Sequence, residues 1–195
     1  GGTARSCAAS EADMPAWPGD RPDFEFVLAM AAFAQAESGD AAYAEVLGRG
    51  ALANDPACPM GVHAVAHAIA ESGRAIDGAQ WLREQFAHWA GESRMRTHNA
   101  WHLAMFDAAH GNVDAALGIL DAWLLPASAQ SQLDACDATA LLWRLAAEGA
   151  GDDGRWHRVS DAFERTLTPG FWPYVDLHAA LAHLAAGQTA RALGL

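Results

Sequence analysis

The stretch AAFAQAESGDAAYAEVLGRGALANDP, residues 31–56, decides how the rest of the chain reads. Small residues Ala32, Ala44 and Ala51 flank a Gly39-Asp40 turn, and Asn54-Asp55-Pro56 closes the unit. Glycine suits the left-handed backbone that ends a helix because it has no Cβ to clash. Proline cannot continue a helix and restricts the residue before it. The stretch therefore predicts one helix over about Asp23–Ser38 and a second running to about Ala53, crossing closely over small side chains. The punctuation recurs at Gly73, Gly111, Gly149 and Gly187, at spacings of 34, 38, 38 and 38 residues counted from Gly39. Seven residues before each glycine stands Ala32, Ala66, Ala104, Leu142 or Ala180; five after stands Ala44, Gly78, Ala116, Gly154 or Ala192. Such a period predicts an all-α chain of about five helix–turn–helix repeats stacked as a solenoid.

Within the first repeat, Ala32, Gly39, Ala44, Ala51 and Pro56 fall where the 34-residue tetratricopeptide pattern wants Ala, Gly, Ala, Ala and Pro, although aromatics expected elsewhere in it are missing. The expected architecture is a right-handed α-α superhelix over residues 23–195. Residues 1–22, with Pro15, Pro18 and Pro22, read as an extended arm or linker. The later repeats are expected to pair Pro59–Ser72 with Arg74–Trp89, Thr97–His110 with Val113–Leu125 (ended by Pro126), and Leu133–Glu148 with Arg155–Leu167. A fifth leading helix is expected over Pro173–Ala186. The Gly-Gly start and the few residues after Gly187 suggest a fragment whose end repeats had neighbours.

Composition limits the partners. The chain is 52% hydrophobic and 18% charged, which suits a folded helical protein. A net charge of −12 argues against nucleic acid or an anionic membrane, since phosphates need cations to neutralise them. Every basic residue other than histidine is arginine, so Schiff-base chemistry and a phosphate-loop lysine are excluded. Cys7, Cys58 and Cys136 are odd in number and far apart, and they read as reduced thiols of a cytoplasmic protein. No apolar run reaches the length of a membrane span, and no signal sequence opens the chain.

Nine histidines are many for 195 residues, and five fall in a pattern. His63 and His67 lie on the leading helix of repeat two, His98 and His102 on that of repeat three. Spacing of i,i+4 puts each pair on one helix face. His178, on the leading helix of repeat five, stands nine residues before its glycine, as His102 does before Gly111. Leading helices of tetratricopeptide-like solenoids line the concave surface, so these imidazoles are expected to converge on one groove. Imidazole with an oxygen ligand suits zinc and its transition-metal neighbours. Glu71 continues the His63–His67 row by one turn and is a candidate ligand or supporting partner. Trp101, Asp137, Trp143 and Asp176 are candidates to line the groove. HExxH is absent, and packing in which histidines bond to each other and to the backbone is the competing reading. A proton-driven change in packing is a third. The tryptophans read first as core, Arg74, Arg94, Arg96 and Arg144 as solvated or salt-bridged, and Glu25, Glu37 and Glu45 as solvent-face residues. No GxSxG elbow, phosphate loop, calcium loop or Ser/His/Asp arrangement stands out.

GVHAVAHAIAESGR over residues 61–74, HNAWHLAMF over 98–106, ALLWRL over 140–145 and Asp176-Leu-His178 together resemble the tetratricopeptide repeat protein 38 family. The resemblance covers most of residues 15–187. It implies an α-α superhelix, found in bacteria and eukaryotes, with no settled activity to carry over. It also implies that upstream repeats are missing here. The histidines at 63, 67, 98, 102 and 178 match family motif positions without a role attached. The arginine-only, alanine-rich composition resembles that of a bacterial protein from a high-GC genome.

Two functions follow as expectations. The first is a scaffold whose concave groove receives a peptide, protein or small-molecule ligand, with no cofactor. The alternative is a metal-binding protein or metal-dependent enzyme that holds a divalent transition metal such as zinc through His63, His67, His98, His102 and His178.

Overall fold

The structure is a computed structural model, and it describes residues 22–195 apart from 92, 94, 152 and 153. All of the expected arm but Pro22 lies outside the described residues, as do Cys7 and Arg94. The described residues are helical throughout, with no strand.

The hairpins follow the glycine period. Gly39, Gly73, Gly111, Gly149 and Gly187 all carry positive φ, from 69° to 94°. Helices α1 (Phe24–Ser38) and α2 (Ala41–Asn54) form the first hairpin, α3 (Pro59–Glu71) and α4 (Ala75–Glu84) the second. Asp40 starts α2 by accepting the Tyr43 amide at 3.0 Å, and the Cys58 thiol plays that part for α3, 3.4 Å from the Gly61 amide. The second hairpin departs from expectation at Gln85. There the helix breaks and resumes as α5 (Phe86–Trp89), and Trp89 turns inward so that its Nε1–H donates to the Leu82 carbonyl at 2.8 Å.

Helix α6 (Arg96–Ala109) leads the third repeat, followed by α7 (Val113–Ile119), a π-helical stretch (Leu120–Leu124) and α8 (Leu125–Ser128). Pro126 was expected to end this helix and does not. It has no N–H for the carbonyl four residues back, and just before it the Leu125 amide reaches five residues back to the Leu120 carbonyl. The wider turn carries the helix through the proline. Helices α9 (Gln132–Ala147) and α10 (Arg155–Thr166) make the fourth hairpin; α11 (Pro173–Ala185) and α12 (Thr189–Ala192) follow.

The chain divides into two compact units between Asn99 and Ala100, inside the unbroken helix α6. In the first unit α1, α2 and α3 pack on one another. Their interface is small: Ala29, Ala32, Ala44, Ala51, Ala64, Ala66 and Ala68 are fully buried. Alanine at a crossing lets helix axes come close to the short end of the usual 8–10 Å range. Gly48 takes this furthest, since a Cβ there would stand 2.7 Å from Val65 Cγ2 on α3. In the second unit α9 packs on α8, α10 and α11, and α11 on α12. Asp121 of the π stretch accepts two bonds from Arg155, at 2.9 and 2.7 Å.

The tryptophans divide. Trp89 and Trp156 are core, whereas Trp143 and Trp172 are exposed, contrary to the default reading. Cys58 and Cys136 are free and buried, and burial pushes the Cys136 thiol up to about 12, so it stays protonated and unreactive. Among the described residues no helix is long and apolar enough to cross a membrane.

Candidate metal centre

One turn of helix separates His63 from His67 on α3, so both rings leave the same face, and their centroids lie 4.5 Å apart. The first turn of α6 is tied to the start of α3 by Asn99 Nδ2, which donates to the Pro59 carbonyl at 3.3 Å. That contact brings His98 against His63, ring to ring at 4.9 Å. Helix α6 runs on unbroken, and its next turn carries His102 on the same face. The result is two i,i+4 imidazole pairs on two helices. One ring nitrogen from each of His63, His67, His98 and His102 lies within 4.8 Å of every other, so the group can hold a metal ion. His63 and His102 are buried and His67 and His98 half-buried, which leaves the centre a wetter and a drier side.

Helix α1 supplies the wall. Phe33 stacks on His63 with centroids 5.1 Å apart and meets the edge of His67 at 4.9 Å. One turn on, Glu37 Oε1 lies 3.1 Å from His67 Nδ1. Burial and the neighbouring His67 and His98 rings drive the His63 pKa down to about 2, because a proton there would be poorly solvated and repelled. Burial, then His98, takes His67 down to about 4, with Glu71 pulling the other way. Near neutral pH both rings are uncharged, the state in which an imidazole nitrogen binds a metal.

Not every expected residue joins this group. His178 is not one of the four; its Nδ1 sits 2.7 Å from the Tyr174 carbonyl and its ring packs on Tyr174 at 4.4 Å. Asp176 accepts the Gly170 amide through both oxygens, at 3.2 and 3.1 Å, and so braces the turn before α11. Asp137 is buried on α9, whereas Trp143, one helix turn and a half further on, is exposed. Trp101 lies beside the centre, 4.9 Å from the His102 ring. Glu71 is exposed and acts on His67 as a nearby negative charge. Arg74 pairs with Glu45, and Arg144 donates to the Ala140 carbonyl at 3.0 Å.

Of the three glutamates read as solvent-face residues, Glu45 is half-buried and bridges Arg49 and Arg74, whereas Glu37 is exposed, as expected, and also faces His67. Phe33 was not singled out at all. Their shared i,i+4 spacing on α1 was the available signal, since it aims both side chains at the helix one repeat on.

A second polar group escaped sequence reading altogether. On the second unit Ser160 Oγ lies 2.7 Å from His183 Nδ1, and His183 Nε2 lies 3.8 Å from Glu164 Oε1. The order serine–histidine–carboxylate resembles a hydrolytic triad, but its polarity does not. Ser160 donates its hydroxyl proton to Gln188 Oε1 at 2.9 Å, so His183 must donate Nδ1–H to Ser160 and cannot accept from it. Ser160 is also completely buried, out of reach of a substrate. The group joins α10 to α11 and the start of α12, and burial holds the His183 pKa below its ordinary value.

No family model and no solved structure matches the chain.

Proposed function

We propose that this protein binds a divalent transition metal of the zinc class through His63, His67, His98 and His102. The single observation that supports it is the convergence of four imidazole donors within 4.8 Å from two i,i+4 pairs. Tetrahedral zinc takes nitrogen at about 2.0–2.1 Å, which sets its donors about 3.4 Å apart; modest side-chain rotation closes the remaining distance. Imidazole donors without a carboxylate among the four favour a borderline-soft ion over magnesium or calcium. The carrier in this reading is a tetratricopeptide-like right-handed superhelix, in keeping with the resemblance to the tetratricopeptide repeat protein 38 family. A peptide or small ligand on that scaffold is the second reading, favoured by the exposed aromatics Trp143, Trp172 and Tyr174 on the second unit.

Titrating purified, chelator-treated protein with Co²⁺ and Zn²⁺ tests the first reading. The expected result is one ion per chain, with visible cobalt absorption of tetrahedral intensity that zinc displaces. His67→Ala with His98→Ala, one ligand from each helix, should abolish it. Absence of stoichiometric binding to the unmodified chain would overturn the proposal.

A further inference from the structure

We propose that Glu37 is the positioning residue of this centre: its carboxylate takes the Nδ1–H of His67, so that His67 meets the ion through Nε2. The inference rests on the metal-binding reading and adds a residue from a third helix to it. Three observations support it. The first is distance, 3.1 Å between Glu37 Oε1 and His67 Nδ1. An imidazole has two nitrogens, and the partner of one fixes which remains to bind a metal. A carboxylate on Nδ1 also makes Nε2 a stronger donor.

The second observation is charge. Four neutral imidazoles around a divalent ion leave its double charge uncompensated, in surroundings where His63 and His102 are buried. A carboxylate one bond further out offsets part of that charge without occupying a coordination position. Glu71 does not supply this as directly. Both carboxylates are exposed, but Glu71 follows His67 on the same helix and acts on it as a nearby charge, whereas Glu37 approaches from α1 to 3.1 Å of His67 Nδ1.

The third is placement on the helix. Glu37 stands in the last turn of α1, Phe24–Ser38, which has no basic residue there. A carboxylate at the negative end of the helix dipole is unfavourable by roughly 0.3–1 kcal/mol at an exposed site. Helix stability therefore gives no reason for an acid at this position, and a nearby cation does.

The test uses the full chain, with zinc as the probe. Affinity is measured by competition with a chromophoric chelator for the unmodified protein, Glu37→Gln and Glu37→Asp. The tautomer of His67 is read from ¹⁵N shifts of labelled histidine in the zinc-bound protein. Glu37→Gln should weaken zinc 10–100-fold at unchanged stoichiometry, with partial recovery in Glu37→Asp. The His67 shifts should report a protonated Nδ1 and a metal-bound Nε2. Equal affinity in all three proteins, or His67 bound through Nδ1, would overturn the inference while leaving the metal centre standing. A fall in the melting temperature of metal-free Glu37→Gln with zinc affinity intact would make Glu37 purely structural, which also overturns it. If the unmodified chain itself takes up no zinc, the metal-binding reading fails first.

Discussion

Two buried histidine sites in this molecule solve the same physical problem in opposite ways. His183, on the second unit, is surrounded by hydrogen-bonding side chains of its own protein: Ser160, then Gln188 beyond it, with Glu164 on the far nitrogen. His63, on the first, has for close neighbours the rings of Phe33, His67 and His98. Removing an imidazole from water is unfavourable unless its polar atoms find partners. In the second unit the partners belong to the fold. In the first, the close ring neighbours of His63 are a phenylalanine and two further imidazoles, a grouping that could hold a cation. Identical residue type and similar burial thus give a structural knot in one place and a candidate ligand set in the other.

Burial lowers His183 as well, but the cluster, where two rings are lowered to about 2 and about 4, should show the largest response to acid. Both low pKa values in the cluster mean that the unfolded chain takes up protons before the folded one as pH falls. The metal-free protein is then at full stability above about pH 6.5 and loses it as pH falls toward the His67 value near 4 and the His63 value near 2. By about pH 5 each ring contributes a loss of about 2 kcal/mol, from about 1.5 units at 1.36 kcal/mol per unit. Urea midpoints measured between pH 8 and 5 should fall accordingly. The fall should shrink in His63→Phe, which keeps an aromatic ring and removes the titration. A pH-independent midpoint would break the contrast.

Ser160→Ala probes the other side. It leaves His183 Nδ1 and Gln188 Oε1 facing a methyl group, and the expected loss is about 1–3 kcal/mol in thermal or urea unfolding. Zinc stoichiometry should not change. A serine-directed fluorophosphonate should fail to label the unmodified protein, because Ser160 is buried and its proton is committed to Gln188.

The smallest effect is expected at Arg191, which joins Asp161 at 2.8 Å and Glu164 at 3.5 Å on the surface beside the serine–histidine pair. Exposed pairs of this kind are worth at most about 1 kcal/mol. Arg191→Ala should shift the unfolding midpoint by less than Ser160→Ala does. A larger shift would mean that the outer charges, and not the buried bonds, hold the knot.

Sequence and structure agree where the physics is local. A glycine at a left-handed helix end is demanded by its own backbone, so five of them at a steady period located every hairpin before any packing was known. The i,i+4 imidazole pairs were legible for the same reason: the spacing alone puts them on one face. What sequence could not give depends on neighbours far along the chain. Phe33 and Glu37 matter because of the helix one repeat later, and Ser160 meets His183 across 23 residues with no periodic sign. His178 shows the converse error, a position that matched the pattern while its ring nitrogen went to the Tyr174 carbonyl one turn back. At Pro126 the stop rule was sound chemistry, but the π turn at Leu120–Leu124 removed the clash it relies on.

The missing side chain at Gly48 has a reach beyond its own crossing. Its partner there, Val65, sits on α3 between His63 and His67, and Gly61 lies two residues before His63, with 2.9 Å between Leu52 Cδ2 and the place its own Cβ would occupy. Branched valine yields little, so any methyl added at position 48 would lever α3 outward. Coordination bonds tolerate a few tenths of an ångström. The missing carbon at position 48 thus acts as a gauge for the spacing of α3, the helix that carries His63 and His67.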